Sequence, residues 1–183
     1  MNTVLTEADY GVRTAPDTVR VERLLPGPIE RVWQYLTDSE LRSQWLAGGE
    51  MEPRLGGHVE LVFRNSSLTE NDDPPPPKYA QFAGESRMGG TITEFDPPRV
   101  LAYTWGEADS SHSHVRFELS AQGAQVRMVV THSRLATREG MLSVAGGWHA
   151  HLDILRDRMS GRTPDGFWRS HTRLEAEYAQ RLA

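Results

Sequence analysis

The stretch Gly147-Trp148-His149-Ala150-His151-Leu152-Asp153-Ile154-Leu155-Arg156-Asp157-Arg158-Met159 decides how this chain folds. Trp148, Leu152, Leu155 and Met159 recur three and four residues apart, the spacing that places side chains on one face of an α-helix. Arg156 and Arg158 fall in the last turn, where cations meet the negative end of the helix, and Gly161 follows as a stop. Extended back to about Thr137, the pattern predicts a helix of roughly 20 residues, about 30 Å long and able to cross a sheet. Gly147 is expected to let a neighbouring element pack closely against it.

Upstream of this helix the period changes from helical to alternating. Val126, Met128, Val130 and His132 share one strand face, and Val115, Phe117 and Leu119 share another opposite Arg116 and Glu118. Leu101, Tyr103 and Trp105 form a third set. Further strands are predicted over residues 58–64 and 90–95, with Asp96-Pro97-Pro98 and Gln122-Gly123 as turns. Short connections favour an antiparallel meander. An earlier strand starts at Thr18 and is stopped by Pro26-Gly27-Pro28; Ile29, Val32, Trp33 and Leu36 then read as a short amphipathic helix. Thr37-Asp38-Ser39 offers an N-cap to a second helix carrying Leu41, Trp45 and Leu46 and ending at Gly48-Gly49. The fold class expected is α+β, an antiparallel sheet wrapped around a long C-terminal helix.

Three segments lie outside that frame. Residues 1–17 are polar and read as a flexible N-terminal arm or an added edge segment ahead of a domain spanning residues 18–160. Residues 65–87 form an insertion with four consecutive prolines, Pro74 to Pro77, a semi-rigid excursion from the sheet in which Tyr79-Ala80-Gln81-Phe82 would add a short strand. Joining two gripping strands beside the pocket mouth, it could act as a lid. Residues 161–183 read as a C-terminal helical extension, with Phe167 and Trp168 ahead of a Leu174, Tyr178 and Leu182 stripe that the helix buries; the added helix also offers a surface for a homodimer.

Composition narrows the functions. Twenty Lys and Arg against 25 Asp and Glu leave a net charge of −5, the wrong sign for counterion release from nucleic acid. Without cysteine there is no disulfide, thiolate metal site or cysteine nucleophile. The first residues lack the basic start and apolar run of a secretory signal, and no stretch approaches the ~18 apolar residues of a membrane span, so no membrane partner is expected and cytoplasmic is the default location. Neither a phosphate cradle, a nucleophile elbow nor a zinc-helix motif is present, so no cofactor and no metal is expected. His149 and His151 are two apart on a helix and diverge, a poor metal pair. His112 and His114 follow Asp109-Ser110-Ser111, a predicted turn, and are expected to be solvated.

The order strand, two helices, run of strands, long helix resembles the helix-grip arrangement of the START-like (SRPBCC) superfamily. Particular residues resemble its bacterial family similar to the C-terminal domain of the activator of heat-shock protein 90 ATPase. They are Val32-Trp33-Gln34-Tyr35-Leu36-Thr37-Asp38 with Leu41 and Trp45, Gly56-Gly57, Gly90 to Glu94 with Asp96-Pro97-Pro98-Arg99, and Leu101 to Trp105. Val115 to Leu119, Thr131-His132-Ser133 and Gly147-Trp148 with Leu152 and Leu155 continue the match. The resemblance implies a Bet v-like helix-grip fold with an internal cavity. A chaperone interaction is doubtful, because the eukaryotic co-chaperone that names the family carries an additional N-terminal domain that 17 polar residues cannot replace.

A sheet gripping a helix leaves a volume set by the side chains that enter it. Trp45, Phe63, Tyr103, Trp105, Phe117, Met128, His132, Trp148, His151, Leu152 and Leu155 are the candidate lining of an apolar pocket. The function expected is binding of a small hydrophobic or aromatic ligand, with no defined reaction. His132, in phase with three apolar residues, Glu94, in parity with Ile92, and Tyr103 are the catalytic candidates. They would serve a cyclase, dehydratase or hydrolase only if His132 or Glu94 pointed into an open cavity. A third reading is a chaperone-associated or stress-response interaction protein.

Overall fold

The computed structural model describes residues 6–106 and 112–183, in which the strands are β1 Val12–Ala15, β2 Thr18–Pro26, β3 His58–Phe63, β4 Ser86–Asp96, β5 Val100–Trp105, β6 Ser113–Gln122 and β7 Gln125–Ser133. They form one antiparallel sheet in the order β1-β2-β7-β6-β5-β4-β3. Between β2 and β3 lie α1, Ile29–Thr37, and α2, Ser39–Ser43; after the sheet come α3, Arg138–Met159, and α4, Phe167–Arg181. The predicted turn at Asp109 to Ser111 falls outside the described residues. None of the described helices is long and apolar enough to cross a membrane.

Register converts the alternation into rows. Leu101 faces Phe117 and Phe117 faces Val130, while Tyr103 faces Val115 and Val115 faces His132. Val21 and Val19 extend the two rows onto β2. All of these are buried, whereas Glu118 is exposed and Arg116 half-buried on the outer face. Against the apolar face lies α3, whose Thr137 N-cap accepts a 3.0 Å hydrogen bond from the Gly140 amide. Its Trp148, Leu152, Leu155 and Met159 are all buried.

The loop after α2 is held by an unusual device. Arg42 is fully buried and donates to the carbonyls of Ala47 at 2.9 Å and Gly49 at 2.5 Å, with Leu36 at 3.4 Å. Carbonyl dipoles here do the work of a carboxylate, and burial lowers the guanidinium pKa. The second helix is shorter than expected, so Trp45 and Leu46 sit in this loop, with Trp45 Nε1–H donating to the Tyr35 carbonyl at 2.8 Å.

Four local expectations are corrected. Of the two readings of the polar segment before Thr18, its described part is the added edge segment and not the loose arm: Val12–Ala15 pairs with β2 at the sheet edge, and Asp9 holds Arg156 at 2.9 Å. Buried Arg23 fixes the same segment, donating to the Asp9 carbonyl and pairing with Asp153 at 2.9 Å. Tyr79 to Phe82 belong to a 3-10 helix, Pro77–Phe82, because a proline in the first turn sets the helical φ. Gly146, not Gly147, is where α4 comes close: a Cβ there would lie 3.3 Å from the Glu175 amide nitrogen. Finally, Ile92 faces Tyr103 but Glu94 faces Ala102, so a bulge breaks the parity that would have carried Glu94 inward with Ile92. Glu94 is exposed and pairs with Arg116 at 2.9 Å.

Candidate functional site

Beside α3 the packing leaves a cavity of about 300 Å³, near the lower end of the range for small-molecule sites. Two walls of different origin enclose it. One is the grip itself: Phe63, Trp105 and His132 from the sheet with Gly147, Trp148 and His151 from α3. The other is appended: Tyr79 and Phe82 from the β3–β4 connection with Phe167, Trp168 and His171 from α4.

On the grip wall, Trp105 and Trp148 meet edge to face at 5.3 Å, and Phe117 supports Trp148 from below at 5.5 Å. Trp148 Nε1–H donates to His132 Nδ1 at 2.9 Å, so that nitrogen holds a lone pair. The neutral ring therefore carries its proton on Nε2, which donates to Ser113 Oγ at 2.7 Å. Burial, assisted by His114, lowers the His132 pKa to about 3. The residue is a neutral strut, with both nitrogens committed inside the protein.

His151, on α3, behaves differently. Its Nδ1 lies 2.7 Å from the Trp45 carbonyl, which can only accept, so Nδ1 bears the proton. Burial lowers its pKa to about 4, against the opposing effect of the Trp45 hydrogen bond. His149 points away from the cavity, its Nδ1 at 2.8 Å from the Tyr178 hydroxyl, which in turn accepts from the Gly11 amide. The expected divergence of the two histidines is thus seen in their partners.

The appended wall is fastened by polar contacts across long chain separations. A helix begins with backbone N–H groups that lack partners, and Gly166, the N-cap of α4, has no side chain to supply one. The β3–β4 connection supplies them: Thr69 Oγ1 accepts from the Phe167 amide at 2.9 Å, and Asp72 accepts from Trp168 at 2.8 Å and Arg169 at 3.2 Å. A Cβ at Gly166 would overlap the Asp72 carboxylate, so the glycine is what lets the acid approach. Trp168 Nε1–H donates to Ser66 Oγ at 3.1 Å, Arg169 pairs with Asp73 at 3.1 Å, and Lys78 and Tyr79 both bind Glu175. Tyr79 stacks on Trp168 at 5.7 Å.

Of the eleven candidate lining residues, Phe63, Trp105, His132, Trp148 and His151 border the cavity. Trp45, Tyr103, Phe117, Met128, Leu152 and Leu155 are buried in the core that supports it. Tyr103 has its phenol pKa raised by burial, with Arg42 opposing, and Glu94 lies on the outer face. Those two catalytic candidates are not brought together with His132 at the cavity. Tyr79 and Phe82 of the insertion and Phe167 and Trp168 of the extension line the cavity although no periodic signal marks them as lining. The apolar stripe of the extension is buried within the chain, as its spacing predicts, with Leu174 and Tyr178 fully enclosed.

The solution NMR structure of a Bordetella parapertussis protein is 48% identical to this chain, with a TM-score of 0.78, covering 94% of this chain and 90% of that one. The crystal structure of CalU16 from Micromonospora echinospora is 20% identical, with a TM-score of 0.64 and 93% of both chains covered, and shares the fold. A conserved Enterococcus faecalis protein of unknown function is 17% identical at a TM-score of 0.64, covering 94% of this chain and 92% of that one. No curated protein matches the sequence. The family model for Activator of Hsp90 ATPase homolog 1-like protein matches residues 26–160, from the end of β2 to just past α3. With its helix-grip sheet and long C-terminal helix, the chain belongs to this START-like family.

Proposed function

We propose that this chain binds a small apolar or aromatic molecule in the cavity between its two walls. The observation that carries this is the lining: a space of about 300 Å³ bordered by Phe63, Tyr79, Trp105, Trp148, Phe167 and Trp168, with no Lys, Arg, Asp or Glu among its described lining residues. Aromatic walls around a small number of polar atoms are the usual character of a site that encloses a ligand. Binding is favoured over the enzymatic reading because His132 has both nitrogens engaged and Glu94 faces solvent.

Gly147 provides the test. It borders the cavity, and a Cβ there meets nothing nearer than the His171 ring at 4.0 Å. Gly147→Leu fills the space from within a helix while improving helix propensity by roughly 1 kcal/mol. Calorimetric titration with naphthol and with its methyl ether is expected to show saturable binding to the parent chain. The variant should keep or raise its thermal midpoint and lose binding at least tenfold. If neither compound binds, or if the filled variant binds as well as the parent, the cavity is not a ligand site.

A further inference from the structure

His132, His151 and His171 all border the cavity, yet their lone pairs are disposed of in three ways. In His132 the Nδ1 lone pair accepts from Trp148 and Nε2–H donates to Ser113. In His171 the Ser143 carbonyl, 3.1 Å from Nε2, requires a proton on that nitrogen, and Nδ1 is enclosed without a hydrogen bond, 3.8 Å from the Glu175 carboxylate. In His151 the proton is held at Nδ1 by the Trp45 carbonyl, so Nε2 carries the lone pair. No described residue donates to it. The atom is not among the enclosed, partnerless ones, and the side chain it belongs to is 6% exposed on the cavity wall.

The ring is rigidly placed. Phe167 lies 4.6 Å from it in a tilted stack and Trp148 meets its edge at 6.5 Å. Its acceptor partner Trp45 is itself fixed, fully buried and donating its Nε1–H to the Tyr35 carbonyl. A preset acceptor between aromatic faces, with no cation on the described lining, suits a neutral ring with an O–H or N–H at its rim. It gives nothing to an ether oxygen, which can only accept, and nothing to a carboxylate.

Resting on the reading of the cavity as a ligand site, we propose that His151 Nε2 anchors the ligand by accepting a hydrogen bond from a phenol-like hydroxyl or an indole-like N–H. The ligand class is thereby narrowed from any small apolar molecule to neutral aromatics that carry a donor. His151 is the specificity-determining residue, and the Trp45 carbonyl is the group that sets its tautomer.

Naphthol and its methyl ether differ in that donor, so their affinity ratio reads the anchor directly. Leaving a buried acceptor unmet is expected to weaken the ether by roughly tenfold to a hundredfold. His151→Phe keeps an aromatic ring without the lone pair and should reduce the ratio to less than about threefold. Because that variant also strips the Trp45 carbonyl of its donor, nitrogen NMR of the parent protein gives an independent reading. The His151 ring should show a protonated Nδ1 and a bare Nε2 whose resonance moves on adding naphthol and stays on adding the ether. Equal affinity for the two compounds overturns the anchor while leaving the cavity as a ligand site. A protonated Nε2 in the free protein also overturns it, and failure of both compounds to bind removes the cavity reading together with the anchor.

Discussion

The two walls of the cavity are built on different physics. The grip wall is secured by burial: Trp105 packs on Trp148 and Trp148 on Phe117, while His132 finds its partners on β6 and α3 and His151 Nδ1 finds its own in the loop after α2. The appended wall is mixed: α4 is buried in the core through Leu174 and Tyr178, while the β3–β4 connection is fastened by hydrogen bonds to the start of that helix, 96 residues further along the chain. Its Lys78–Glu175 and Arg169–Asp73 pairs have exposed cationic partners, a setting in which ion pairs contribute little. Parts fixed by buried area move with the whole fold, and the connection, fixed by a handful of polar contacts, can open alone.

The largest expected effect separates the walls by acid. His132 and His151 belong to the grip and are buried neutral, with pKa values lowered to about 3 and about 4, whereas in His171 on the appended wall burial lowers the pKa against the opposing Ser143 hydrogen bond and the Glu175 carboxylate 3.8 Å away. Since the folded values lie below the unfolded value, the unfolded chain takes up protons first. The stabilisation is complete above about pH 6.5 and is lost as pH falls towards the folded values. Between pH 6.5 and 4.5 the two groups together should cost about 5 kcal/mol. Urea unfolding across that range checks this, and replacing His132 with Phe should reduce the slope by about 1.4 kcal/mol per pH unit. An unchanged slope would show that His132 is not buried neutral.

Next in size is Trp148→Ala on the grip wall, which removes a buried indole and leaves His132 Nδ1 without its donor. A loss of about 3–5 kcal/mol in unfolding free energy is expected, with the whole domain affected. Smallest is Asp72→Ala on the appended wall, where the loss of two amide partners at the start of α4 should cost about 1–2 kcal/mol. Its signature should be local: amide exchange rises in the first turn of α4 and ligand exchange quickens, while β6 and β7 stay protected. Equal loosening of both walls in Asp72→Ala would dissolve the distinction between them.

Legibility in the sequence follows the same division. Val115, Phe117 and Leu119, or Val126, Met128, Val130 and His132, declare their common face by alternation alone, and the structure keeps each set together. Trp148, Leu152 and Leu155 declare theirs by helical spacing. Parity failed where one extra residue entered the ladder, between Ile92 and Glu94, because a bulge leaves no mark in an alternating pattern. The lining was legible by half: spacing shows which side chains point inward but not how deep each lies. Trp45, Phe117 and Met128 therefore became core while Trp105 and His151 reached the cavity.

From sequence alone came the antiparallel sheet, the long helix it grips and the inward faces of both, since these depend on periodicities among residues adjacent in the chain. Only the tertiary structure decided that the last helix joins the insertion at the cavity, that Glu94 faces out, and which nitrogen of each histidine carries the proton. Each of those rests on a hydrogen-bond partner or a register shift contributed by another part of the fold. Thr69 and Asp72 cap a distant helix, and the Trp45 carbonyl sets the ring of His151. Such pairings have no period, because the chain must fold before the partners meet.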